Sequence, residues 1–98
     1  PIVLSFTRQW QRDSILDIAI AENFRHFQVF WWNGPRLAPQ IRKHGGTVLW
    51  QVGTPPQAQE AIDCGADILV LQGTEAGGQV RSPYNLRQLI TGVQSQVG

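Results

Sequence analysis

Ile68-Leu69-Val70-Leu71-Gln72-Gly73-Thr74-Glu75-Ala76-Gly77-Gly78-Gln79 joins a four-residue run of branched apolar side chains directly to a glycine-rich polar loop. A short run with no polar alternation reads as a buried strand of the kind found in parallel sheets. Glycines in the loop that follows let the main chain adopt positive φ and approach a ligand closely, so that consecutive N–H groups converge on an anion at the carboxyl end of the sheet. A strand feeding such a loop is the first half of a βα unit, and the rest of the chain repeats the arrangement.

Three similar runs precede it, Ile2 to Phe6, Phe27 to Trp31 and Val48 to Val52, each followed by a turn signal and helical periodicity. Successive runs start 25, 21 and 20 residues apart (2 to 27, 27 to 48, 48 to 68), room for one strand, one crossover helix and two short loops, which implies parallel strands. Thr54-Pro55-Pro56-Gln57 combines an N-cap, a proline at the first helical position and a glutamine three residues after the cap, and its helix ends near Cys64-Gly65. Asp13 caps a helix carrying Ile15, Leu16, Ala19 and Ile20, while Gly34-Pro35 opens one carrying Leu37 and Ile41 that stops at Gly45-Gly46. Ser82-Pro83 opens the last, in which Leu86, Leu89, Ile90 and Val93 share a face. All four helices are expected to face a sheet, either doubly wound or part of a (β/α)8 barrel, of which four units make about half.

Composition narrows the function classes. The chain has 98 residues, 42% of them hydrophobic and only 15% charged, which describes one globular domain with a modest core. A net charge of +1 from scattered basic residues offers neither nucleic acid nor an acidic membrane an electrostatic handle. Trp10 with Arg8 and Arg12 is too small a group for a nucleic-acid stacking platform. The lone Cys64 excludes an intrachain disulfide, supplies no metal-ligand spacing and suits a reducing cytoplasm; it reads as a small buried hydrophobe. No apolar run reaches the length of a spanning helix.

The loop resembles the flavin-binding loop of the nitronate monooxygenase (2-nitropropane dioxygenase) family, whose motif reads roughly Gln-Gly-X-Glu-Ala-Gly-Gly-His. The similarity extends to Phe27 through Pro35, a strand ending in an aromatic-glycine turn, to Gly46 through Val52, to Ala58-Gln59-Glu60-Ala61, and to Cys64-Gly65-Ala66-Asp67, matching the family's Gly-Ala-Asp before its loop strand. The resemblance implies an α/β fold of four consecutive βα units with parallel strands, half of a (β/α)8 TIM barrel, with residues 1–98 as one partial domain. It also implies flavin mononucleotide (FMN) as cofactor, held by Gln72, Gly73, Ala76, Gly77 and Gly78, and oxidation of alkyl nitronates as the activity. Trp32, Asn33 and Gln51, ending neighbouring strands, are expected at the same mouth.

The sequence departs from the family in two ways. The family's histidine takes a proton from the carbon beside the nitro group; Gln79 stands in its place and has no titratable proton to exchange. His26 and His44 fall at the opposite rim, and the catalytic residue is therefore unassigned. The family's later phosphate-clasping loops and its earliest strand also lack counterparts, so flavin is expected to bind weakly or not at all. The two sheet edges would then need a second copy or a longer chain. A flavin-type enoyl-acyl-carrier-protein reductase, with a similar loop, is an alternative, as is a non-catalytic, self-associating half-barrel that binds a phosphate-bearing small molecule.

Individual residues also have plainer readings. Glu75 is expected to anchor the loop by accepting backbone N–H bonds more than to act as a base. Trp31 and Trp32, adjacent on a strand, should face opposite sides, placing at least one in the core or an interface and making Trp31, Trp32 and Trp50 packing residues before they are stacking platforms. Gln79 reads as a polar loop residue, and His44, beside Lys43, as a partner of a helix C-terminus.

Overall fold

Each of the four apolar runs forms a strand, and each is followed by a helix. The computed structural model describes residues 2–6, 13–76 and 82–97. In chain order the elements are β1 (Val3–Ser5), α1 (Asp13–Ala21), β2 (His26–Phe30), α2 (Gly34–Lys43), β3 (Thr47–Val52), α3 (Pro55–Asp63), β4 (Ile68–Leu71) and α4 (Leu86–Val97). The strands form one sheet in the order β1-β2-β3-β4, every pair parallel.

That order decides between the two α/β architectures. A doubly wound sheet reverses its strand order and carries helices on both faces, whereas right-handed crossovers between consecutive neighbours set every helix on one face. Burial follows the second pattern. Along β3, Val48, Trp50 and Val52 are buried and Thr47, Leu49 and Gln51 only half-buried. Val48, Trp50 and Val52 join Phe27, Val29, Leu16, Leu37, Ala38, Ile41, Ala58, Ala61, Leu89 and Val93 in the core between sheet and helices. The alternate residues face away from the helices, toward what would be the interior of a barrel. The fold is thus four parallel βα units in one sheet, half of a TIM barrel.

Glycines allow two close approaches in this core. A Cβ on Gly34 would lie 2.3 Å from the Trp50 ring, so the start of α2 can sit on that indole only without a side chain. A Cβ on Gly92 would lie 2.7 Å from Pro55 Cγ, so Gly92 lets α4 pack closely on α3.

Several expectations need correction. β4 is an edge strand and not a buried one: Ile68 is 51% exposed and Leu69, Val70 and Leu71 are half-buried, because no described strand covers the far side. β2 ends at Phe30, so Trp31 and Trp32 lie in a turn; their rings meet edge to face with centroids 4.5 Å apart and do not point to opposite faces. α4 opens at Leu86 and not at Ser82-Pro83, because Asn85 and Gln88 form a reciprocal capping box: Gln88 N–H donates to Asn85 Oδ1 at 2.8 Å and Asn85 N–H to Gln88 Oε1 at 3.1 Å. Ile15, Leu86 and Ile90, expected on the sheet-facing side, lie at the flanks of their helices and are 44%, 39% and 41% exposed.

At α3 the Gln57 N–H donates to Thr54 Oγ1 as expected, but Gln57 Oε1 accepts from Gly53, one residue before the cap. α2 and α3 stop where expected, with Gly45 and Gly65 at φ +78° and +94°. Cys64, half-buried, packs against the core. The capping role expected of the Asp13 side chain, and Arg8, Trp10 and Arg12, lie outside the described residues.

Candidate functional site

The loop after β4 leaves the sheet at the rim where all four strands end, the rim at which barrels of this type carry their chemistry. Gln72 continues β4 by one bond, its N–H donating to Val52 O at 3.0 Å, and its side chain is half-buried. Gly73 has no room for a side chain, since a Cβ there would lie 2.5 Å from Leu86 N and 2.8 Å from Leu86 Cα. Its glycine is therefore required by the approach of α4. Thr74 N–H donates to Tyr84 O and Ala76 N–H to Gly73 O, so three amides of residues 72–76 already have protein acceptors. Ala76 is exposed. Gly77, Gly78 and Gln79 lie outside the described residues.

Glu75 behaves as an anchor: its Oε1 accepts from Leu86 N–H at 2.8 Å, fixing the loop to the first turn of α4. An acidic group at a helix N-terminus is the favourable sign for the helix dipole. With Asn85 Oδ1 on the Gln88 amide, two donors of that terminus are occupied from within the chain.

Two polar staples hold the rim. Asn33, 1% exposed, accepts from Phe30 N–H at 2.8 Å and donates through Nδ2 to Phe6 O at 2.7 Å, tying the end of β1 to the turn after β2. It was expected to line the mouth; the structure spends both ends of its amide on the backbone. Ser82, also buried, donates to Gly53 O at 2.6 Å and accepts from Tyr84 N–H at 3.0 Å, tying the loop before α4 to the end of β3. Neither role shows in composition, because each joins residues 27 or more positions apart.

The open face below this rim is mixed. Phe30, Gln51 and Val70 are in register and share that face. Phe30 is only 7% exposed because the Trp32 ring stacks on it, 4.8 Å between centroids and 6° between planes. Gln51 accepts from Gln28 Nε2 at 2.8 Å. The Trp32 indole N–H is buried and has no acceptor among the described residues; the Trp50 indole N–H is likewise unpartnered, but inside the core. Of the residues expected at the mouth, the structure thus places Gln51 on the open face and Trp32 in the turn above it.

The opposite rim is built for structure. Asp67 accepts from Val48 N–H at 2.9 Å and takes a two-pronged contact from Arg42 Nη1 at 2.8 and 2.9 Å. The Val48 amide holds its carboxyl below the usual carboxylate range, against burial and with help from Arg42. Gly65-Ala66-Asp67 therefore has a mechanical reading: Gly65 takes the left-handed turn, Ala66 packs on the core and Asp67 pins the starts of β3 and β4. His26 begins β2 at this rim, and His44 Nδ1 lies 2.9 Å from Gln40 O at the end of α2. Two surface hollows lie here too, of about 430 Å³ beside Glu22, Arg25 and His26 and about 260 Å³ over Val3, Thr47, Leu49 and Ile68. No helix among the described residues is long and apolar enough to cross a membrane, and they contain no cluster of metal-ligating side chains.

No protein-family model matches the chain, and no curated protein matches it in sequence. Solved structures do match its fold. A point mutant of FabK from Thermotoga maritima superposes with a TM-score of 0.82 at 20% identity, covering 98% of this chain and 32% of that one. A nitroalkane oxidase from Streptomyces ansochromogenes superposes with a TM-score of 0.72 at 21% identity, covering 87% of this chain and 28% of that one. The chain thus spans about a third of the length of these proteins, and what it shares with them is the fold, four parallel βα units that make half of a TIM barrel.

Proposed function

We propose that the chain is the half-barrel of a flavin-dependent oxidoreductase acting on alkyl nitronates, diverged so that it places FMN without supplying the base. The observation that carries this reading is a glycine-rich stretch, resembling the nitronate monooxygenase loop in sequence, that begins where β4 ends, at the carboxyl rim of a parallel sheet. A nitroalkane oxidase among the structural neighbours supports the same class of chemistry. Among the described residues the donor set fits the cofactor in part: the Gln72 and Ala76 amides are already bonded within the chain, while Ala76 is small and exposed and the buried Trp32 N–H has no acceptor there.

In this reading Gln72, Gly73, Ala76, Gly77 and Gly78 hold the cofactor, the last two through close main-chain approach. When bound, FMN supplies a two-electron acceptor. Glu75 keeps the loop in place through Leu86, while Gln79 can donate and accept hydrogen bonds but move no proton. The lone Cys64 is consistent with a reducing, cytoplasmic setting.

FMN titration tests the reading. Weak quenching of flavin fluorescence, seen only at high FMN concentration, is expected, together with its loss in a Gly77→Val/Gly78→Val variant; no quenching at any soluble FMN concentration would remove the cofactor. Gln79→His should add proton abstraction from nitroalkanes if the base is all that is missing. The alternative within the same cofactor class is a flavin-type enoyl-acyl-carrier-protein reductase. A phosphate-bearing ligand held without turnover is the non-enzymatic alternative, favoured by Gln79.

A further inference from the structure

We propose that a second copy of this chain docks edge to edge with the first, β4 beside the partner's β1 and the reverse, closing an eight-stranded parallel barrel around a twofold axis. The inference is independent of the cofactor.

Three observations carry it. First, the sheet is parallel and consecutive, so the free edges of β1 and β4 have the same polarity, and two copies close both edges at once. Second, neither edge strand carries the usual protection in its own sequence, and no described strand covers it. Solitary edges ordinarily carry a charge, a proline or a bulge, whereas Val3-Leu4-Ser5 and Ile68-Leu69-Val70-Leu71 contain no charge and no proline, with Val3 44% and Ile68 51% exposed.

Third, the outer helices carry matching apolar flanks. At about 100° per residue, Leu89 and Val93 point α4 at the sheet, Gly92 falls on the flank that touches Pro55 of α3, and Leu86 and Ile90, 39% and 41% exposed, fall on the other. On α1, Leu16 and Ala19 point at the sheet, and Ile15 and Ile18, 44% and 59% exposed, fall on the flank equivalent to the one α4 turns toward α3. Parallel βα units stack in one sense, so the free flank of α4 faces a following unit and the apolar flank of α1 a preceding one. Each supplies what the other lacks. Each copy therefore carries the complement of both edges, and this complementarity is the argument for a second copy as the occupant. Closure also completes the mouth, ringing it with the strand ends of both copies.

Light scattering after size exclusion should give the mass of two 10.9 kDa chains. Ile90→Glu and Ile18→Lys, each alone, should be monomeric with unchanged far-UV circular dichroism, while Ile62→Glu, on α3, stays dimeric. An equimolar mixture of the Ile90→Glu and Ile18→Lys chains should recover the dimer, because one seam then pairs glutamate with lysine and the other is wild type. If a charged variant unfolds, Ile90→Ala and Ile18→Ala replace the pair, each expected to raise the dimer Kd about tenfold or more, about 1.4 kcal/mol. A monomeric wild-type chain at every soluble concentration, an open-ended series of oligomers, or a dimer indifferent to positions 18 and 90 would overturn the proposal. FMN quenching is read separately, so neither failure stands for the other.

Discussion

The two faces of the sheet are made by the same strands from alternate residues, yet they have different fates. On the helix side Phe27, Val29, Val48, Trp50 and Val52 are at most 1% exposed; on the other, Val3 and Ile68 are about half exposed and the Gln28 and Gln51 side chains bond each other. Alternation alone would suggest an ordinary two-sided sheet with a wet face. The wet face here carries Val3, Leu49, Ile68 and Val70 beside its glutamines, and the difference teaches that the helix side explains how this chain folds while the open side keeps apolar surface that the described residues do not cover.

The contrast can be broken by mutation. Trp50→Ala should cost about 3–5 kcal/mol, read as a fall in the urea midpoint, because its ring fills the contact beneath Gly34. Leu49→Ala, one residue along on the open face, should cost under about 1 kcal/mol in dilute solution. A larger cost at high concentration would mean that this face becomes interior on association. Similar costs for the two at low concentration would abolish the contrast.

Next in size comes the rim. Asn33→Ala leaves the Phe30 N–H and Phe6 carbonyl without their partners and should cost about 2–3 kcal/mol. Asn85→Ala should cost about 1 kcal/mol by removing the α4 cap, where Ser82→Ala, once expected to be the cap, should instead loosen the loop; protease susceptibility near residue 82 separates the two.

The smallest effect is at the far rim. Since the folded Asp67 carboxyl titrates below its ordinary value, its stabilisation is complete above about pH 4 and disappears as the pH falls through the lowered value. Both partners are well exposed, 48% for Arg42 and 38% for Asp67, so Asp67→Asn should remove no more than about 1 kcal/mol. The variant should also flatten the acid limb of a plot of melting temperature against pH.

How much of this was legible in the sequence depended on whether the determinant was local. Thr54-Pro55 and the glycines ending α2 and α3 act within a few residues, and their helices begin and end close to where expected. The Asn85 box is equally local, but the serine-proline pair just before it gave the stronger-looking signal. Strand order was not local at all: nothing in an apolar run says which neighbour it takes, and only pairing distinguished half-barrel from doubly wound sheet. For the site, the role of Glu75 was readable from its place in a loop before a helix, whereas Asn33 was misplaced because its partner, Phe6, is remote in sequence. The stacked Phe30 and Trp32 were missed because the strand stops one residue early.

The consecutive order of parallel strands has a consequence for engineering. Each helix returns to the rim where the strands begin, so Val97 and Ile2 sit on the same side of the molecule. Two copies of residues 2–97 joined head to tail through a brief linker would therefore need no permutation and no crossing connection to encode, as a single polypeptide, the proposed eightfold ring.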